Sequence, residues 1–135
     1  MEQPIAIEPA PLVLLAEDDD ALRGQIARSI AELGWEVVPA RDGRELLTRL
    51  DTLLVHTGPR FLITDLRMPQ LDGVDLLAEL RLCKHRMRTI VVTAFADEET
   101  RQTVRALGAS MIFSKPFDVD DLCTALQFLR KTARF

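Results

Sequence analysis

The sequence predicts a three-layer α/β sandwich, a parallel sheet with helices on both faces. Short continuous apolar runs alternate with longer amphipathic ones, strand then helix, five times along 135 residues. The apolar runs show no polar alternation, as expected of strands buried on both faces. Glycines, prolines and capping acids fall at the junctions between them.

The first strand is predicted from Leu12 to Ala16, followed by a helix with Leu22, Ile26, Ile30 and Leu33 on one face and Gly34 at its end. A strand from Glu36 to Ala40 leads into a helix from about Gly43, with Leu46, Leu50 and Leu53 in register and Gly58-Pro59 as its stop. The third strand is Phe61 to Thr64. After it LRMPQLDG reads as loop, because Pro69 biases Met68 away from helix and Asp72-Gly73 suits a turn into a helix carrying Val74, Leu77 and Leu80. The fourth strand, Thr89 to Ala94, precedes a helix capped by Asp97 and ended by Leu107-Gly108. Met111 to Ser114 is the fifth strand. Lys115-Pro116 is the last turn, and Asp118 caps a helix that buries Val119, Leu122, Leu126 and Leu129.

Composition narrows the function classes. With 47% hydrophobic and 28% charged residues the chain is globular, and its length suits one core burying roughly two thirds of the unfolded surface. The net charge is -4 with both signs mixed, so no basic stripe for nucleic acid is expected. The opening MEQPIAIEPAP lacks a basic start and a long apolar segment, and no run is long enough to span a membrane. Cys83 and Cys123 have neither metal-ligand spacing nor the density of a disulfide framework, so a reducing, cytoplasmic setting is expected. His56 and His85 are expected at the surface, and Trp35 in packing.

In a parallel sheet of this kind ligands sit beyond the carboxyl ends of the strands. The residues placed there are Glu17, Asp18 and Asp19 after the first strand, Asp65 after the third, Thr93 at the end of the fourth and Lys115 after the fifth. Carboxylates brought together repel one another, so a metal or Lys115 must compensate them. Oxygen donors without His or Cys favour a hard cation, Mg²⁺ over Zn²⁺. A carboxylate such as Asp65 can also be a nucleophile toward phosphorus, with Lys115 and a cation placing positive charge around the equatorial oxygens and the Thr93 hydroxyl adding a hydrogen bond. The blander reading of the acidic run is a helix cap with acids in the first turn, and Asp19 or Asp20 can serve that role while Glu17 and Asp18 face a cation.

The motifs LLAEDDDALR, FLITDLRMPQLDG, IVVTAFAD and FSKPF, in this order, resemble those of response regulator receiver domains, from about Leu12 to Arg130. The resemblance implies a flavodoxin-like fold with strand order 2-1-3-4-5 and five helices, in a domain spanning residues 12–132 between an N-terminal extension, 1–11, and a short end, 133–135. By position, Glu17 and Asp18 resemble the metal-binding acidic pair and Asp65 the phosphoacceptor and third carboxylate ligand. Thr93 resembles the switch hydroxyl, Lys115 the phosphate-binding lysine, and the backbone carbonyl of Arg67 a further metal ligand. The Lys115-Pro116 bond resembles one that is cis in the family.

The implied function is that of a Mg²⁺-dependent switch, phosphorylated by a sensor histidine kinase or histidine phosphotransfer protein and signalling through a homodimer or an effector protein. The chain itself is expected to bind neither nucleic acid nor membrane. The usual aromatic three residues before the lysine is replaced by Ile112, with Phe113 beside it, while Arg67 and Phe95 flank the phosphate position. A hydrolase of the haloacid dehalogenase type, the alternative with an aspartyl phosphate, would need an acid where Arg67 stands. A flavin module of the same topology is opposed by the acids after the first strand.

Overall fold

A computed structural model describes residues 9–132 of the chain. The expected N-terminal extension as far as residue 8, and residues 133–135, lie outside the described residues. Five parallel strands, β1 (Leu12–Ala16), β2 (Glu36–Ala40), β3 (Arg60–Asp65), β4 (Arg88–Thr93) and β5 (Ala109–Ser114), lie in the order β2-β1-β3-β4-β5. Six helices connect or follow them: α1 (Asp20–Glu32), α2 (Gly43–Thr48), α3 (Thr52–Val55), α4 (Gly73–Leu82), α5 (Glu98–Ala106) and α6 (Val119–Thr132).

The central strands are the unbroken apolar runs. Alternate residues of each face opposite sides, so one run fills two cores. Val13, Leu15, Phe61, Ile63, Ile90 and Val92 join α1 and α6 on one face, where Trp35 packs against Phe61 at 5.1 Å between ring centroids. Leu14, Leu62 and Val91 face α2 to α5, meeting Leu46, Leu76, Leu77 and Val104. The two outer strands are less buried, and only there is a proline tolerated within a strand, Pro39 in β2.

Several expectations are corrected in detail. The second predicted helix is two pieces, α2 and α3, because from Arg49 to Leu54 the backbone tightens to i to i-3 hydrogen bonds and the hydroxyls of Thr48 and Thr52 bond to Glu45 and Arg49 carbonyls. Leu46 and Leu53 are buried as expected, with Leu50 only partly so. Asp65 is the last residue of β3 rather than the residue after it, and Ala94 lies just past β4.

His56 is not a surface residue. At the end of α3 the His56 side chain is 8% exposed, with Nδ1 3.4 Å from Oε2 of Glu36 at the start of β2. His85 is partly buried in the turn after α4. Both cysteines are free, Cys83 exposed at the end of α4 and Cys123 buried on α6, on opposite faces of the sheet. Burial pushes the Cys123 thiol pKa up, and the nearby Asp120 and Glu32 charges add to it.

Candidate functional site

The sequence-predicted residues converge where the carboxyl ends of β1, β3, β4 and β5 meet. Parallel pairing sets this, because Ala16 stands opposite Thr64, Asp65 opposite Val92, and Thr93 opposite Ser114. The residues that follow in sequence are therefore neighbours in space.

Lys115 joins the set. Its Nζ donates to Glu17 Oε1 at 2.5 Å and to Asp65 Oδ2 at 2.7 Å, reaching acids 98 and 50 residues away in the chain. The lysine is placed by its own backbone, whose N–H donates to the Thr93 carbonyl at 2.8 Å and ties the ends of β4 and β5 together. The Lys115-Pro116 peptide bond is cis, as the resemblance implied.

Glu17 is fully buried and Asp65 is 5% exposed, whereas Asp18 is exposed at the mouth. Carboxylate oxygens of all three lie within 4.8 Å of one another. Burial raises the Glu17 pKa to about 7; the Lys115 hydrogen bond opposes the rise and the neighbouring Asp65 adds to it. Burial works against the Lys115 ammonium as well, but its bonds to Asp65 and Glu17 outweigh burial and hold its pKa above the ordinary lysine value. One cation thus serves two carboxylates, leaving a negative, oxygen-only set with an open side at Asp18. That donor set fits a hard divalent cation.

Asp65 is also fixed from behind. Its Oδ1 accepts the backbone N–H of Leu66 at 2.6 Å and of Arg67 at 3.3 Å. The β3–α4 loop carrying these donors is pinned at both ends, by Gly73 N–H to the Leu66 carbonyl at 2.9 Å and Gly43 N–H to the Leu71 carbonyl at 3.1 Å. Both glycines are needed for close approach: a Cβ on Gly73 would lie 2.1 Å from the Asp65 carbonyl oxygen, and one on Gly43 2.7 Å from that of Leu71. The sequence marked Gly43 as a helix start and Gly73 as part of a turn, and their contacts across the loop have no sequence signal.

Thr93 is fully buried at the end of β4, its hydroxyl accepting the Phe95 N–H at 3.0 Å. The acidic run divides as follows. Asp19 is the N-cap, accepting the Leu22 N–H at 2.9 Å, while Asp20 sits in the first turn paired with Arg23. Of the two acids offered as caps, only Asp19 caps.

Arg67 and Phe95 form a unit beside the site, with the guanidinium 3.9 Å above the ring. Together with Asp18, Met68, Pro69 and Asp72 they line a cavity of about 480 Å³ open to solvent. Asp97 nearby caps α5; the bond from the Thr100 N–H and the charge of Arg67 lower its pKa. Sequence reading singled out both members of the stack but not their contact.

Ile112 and Phe113 point to opposite faces of β5. Ile112 packs into the core beside α5, and Phe113 into the other, 5.9 Å from the Phe117 ring. Phe113 therefore does not substitute for an aromatic at position 112.

The family model described as response regulator receiver domain matches residues 13–127. Response regulator RR06 of Streptococcus pneumoniae serotype 2 is 35% identical over 107 residues, covering 79% of this chain and 47% of that protein. Regulatory protein AtoC of Escherichia coli K12 is 33% identical over 115 residues, 85% of this chain and 24% of that one. The chain thus spans from a quarter to about half of these relatives. Among solved structures, the receiver domain of the Francisella response regulator 1452 superposes with a TM-score of 0.78 at 28% identity, covering 92% of this chain and 99% of that one. With its strand order, its acidic triad and its bridging lysine, the chain belongs to the response regulator receiver domain family, the signalling switches of two-component systems.

Proposed function

We propose that Asp65 accepts a phosphoryl group from a histidine kinase or a histidine phosphotransfer protein, and that the working unit is residues 12–132. The single observation that carries this is the Lys115 ammonium held against Asp65 and Glu17 at 2.7 and 2.5 Å, with an acid-lined opening on the Asp18 side. Glu17, Asp18 and Asp65 would hold Mg²⁺, with the Arg67 backbone carbonyl as a further ligand. When bound, the ion offsets charge on the transferred group's oxygens.

In this reading an Asp65 carboxylate oxygen attacks phosphorus as the phosphorus–nitrogen bond to the donor imidazole breaks, and the imidazole keeps the electron pair. The backbone N–H groups of Leu66 and Arg67 hold the carboxylate in place for attack. Lys115 stays paired to the new phosphoryl oxygens. The Thr93 hydroxyl proton is available to them, because in the hydrogen bond it now makes the hydroxyl oxygen is the acceptor. Water later attacks phosphorus as the phosphorus–oxygen bond to Asp65 breaks, regenerating the carboxylate and releasing inorganic phosphate. The Arg67 and Phe95 stack lines the open cavity beside Asp18 and would tune how fast that water arrives.

Phosphorylation would shift a pre-existing equilibrium through Thr93 and the β4–β5 tie. The output surface would be that of α5, β5 and α6, meeting a second copy or an effector protein. No helix among the described residues is long and apolar enough to cross a membrane, and we place the switch in the cytoplasm. The test is incubation with Mg²⁺ and acetyl phosphate followed by intact mass measurement. Wild type should gain one phosphoryl group and Asp65→Asn none. Retention of the mass gain in the variant would overturn the assignment.

A further inference from the structure

The end of the sheet opposite the acidic site carries a concentration of positive charge that the net charge of -4 conceals. Residues 81–88 read RLCKHRMR, with no acid among them, and the fold brings Arg60 at the start of β3 beside them. A cleft of about 560 Å³ runs between the α3–β3 loop and the α4–β4 loop, lined by Gly58, Arg60, Lys84, Arg86, Met87 and Arg88 among others.

Among the described residues none of these cations has a carboxylate within ion-pair distance. Arg60 donates to the Leu53 and His56 carbonyls, Arg81 to the Ala106 carbonyl and Arg88 to the Ser110 hydroxyl, all neutral acceptors. Lys84 and Arg86 are exposed, and their side chains make no hydrogen bond or ion pair. Complementing the helix dipole explains Arg81 in the last turn of α4, but not Lys84, Arg86 and Arg88, which lie beyond the helix. Lys84 moreover holds φ +59, the left-handed position that Gly34 and Gly108 fill after α1 and α5. A long cation stands where glycine would be easier.

The most exposed large apolar side chains among the described residues lead into the same two loops. Leu54 and Val55 in α3 are 83% and 86% exposed, and Leu82 at the end of α4 is 77% exposed. A cleft lined by cations and Met87, entered by loops whose preceding helices expose Leu54, Val55 and Leu82, matches a polypeptide bearing both carboxylates and aliphatic side chains. A nucleic acid backbone would use the charge and leave the apolar groups unmatched.

We infer that this basic cleft between the α3–β3 and α4–β4 loops is a docking surface for an acidic, aliphatic-bearing segment of a partner protein. It lies at the far end of the sheet from Asp65, so a partner can be held there while the phosphoacceptor stays open.

The experiment is amide NMR of the ¹⁵N-labelled chain titrated with a synthetic peptide rich in Glu, Asp and Leu, and in parallel with a random-sequence DNA duplex. Peptide-induced shifts should be confined to residues 54–60 and 81–88 and fade as salt rises. The double variant Lys84→Glu with Arg86→Glu should bind the peptide more weakly by about tenfold or more. Arg44→Glu, an exposed charge on α2, should bind as wild type does. Unchanged spectra elsewhere in the double variant show that it folds. Absent shifts, shifts centred elsewhere, equal binding by the double variant, or tighter binding of the duplex would each overturn the proposal.

Discussion

Replacing Gly73 by alanine tests whether the phosphoacceptor strand and the helix that follows it form one rigid unit. The new Cβ would meet the Asp65 carbonyl oxygen at 2.1 Å and the Leu66 Cα at 2.8 Å. The first contact is about 0.9 Å short of the 3.0 Å that real Cβ atoms respect. The obstacle is backbone, so no side-chain rotation relieves it. Either α4 withdraws, loosening Leu76, Leu77 and Leu80 in the core, or the end of β3 moves and carries Asp65 away from Lys115.

Overpacking of this kind typically costs about 1–3 kcal/mol, and a backbone obstacle belongs at the upper end. The helix-propensity gain of alanine over glycine returns about 1 kcal/mol at most. The net expectation is a loss of about 2 kcal/mol, read as a lower urea midpoint at unchanged slope, or roughly 5–10 °C in Tm. Gly24→Ala in α1 is the internal control. Its Cβ meets only the tip of the Arg28 side chain, at 3.2 Å, which can swing away, so this variant should gain about 0.5–1 kcal/mol. Mg²⁺ affinity should fall in Gly73→Ala and hold in Gly24→Ala. A Gly73→Ala protein within about 0.5 kcal/mol of wild type would refute the reasoning, because it would show that the β3–α4 junction yields freely.

Three further outcomes follow from the site. Asp18→Asn should weaken Mg²⁺ binding strongly with little change in stability, since the residue is exposed; unchanged affinity by calorimetric titration would remove Asp18 from the ligand set. Asp19→Ala should cost about 1 kcal/mol in urea unfolding through the lost cap, whereas Asp20→Ala, losing an exposed pair with Arg23, should cost no more than about 0.5 kcal/mol; equal losses would contradict the capping geometry. Lys115→Met leaves Glu17 and Asp65 without their shared cation, so the metal-free protein should lose about 2–4 kcal/mol and regain more stability from saturating Mg²⁺ than wild type does; an equal Mg²⁺ response in thermal melts would argue against one charge balance governing both.

Much of this molecule is legible in its sequence for a physical reason. The LVLLA of β1 and the FLI of β3 are apolar at every position, which only a sheet covered on both faces accommodates, and the acids, threonine and lysine at the strand ends must then meet at one edge. Asp97 occupies the N-cap that the sequence predicts, and Asp118 accepts the Asp120 N–H at the start of α6, because a short carboxylate satisfies a free N–H locally, whatever the rest of the fold does.

What the sequence could not fix depends on neighbours distant in the chain. The burial of the His56 side chain beside Glu36 and the stacking of Arg67 on Phe95 follow from packing that no local pattern encodes. So do the raised pKa of Glu17 and the gathering of Arg60 with Lys84 and Arg86, since desolvation and Coulomb energy depend on distance through space rather than along the chain. The sequence by itself determined which residues would meet at the acidic edge; the tertiary structure decided that a single lysine would bridge two of its carboxylates and that the opposite pole would gather cations with no carboxylate paired to them among the described residues.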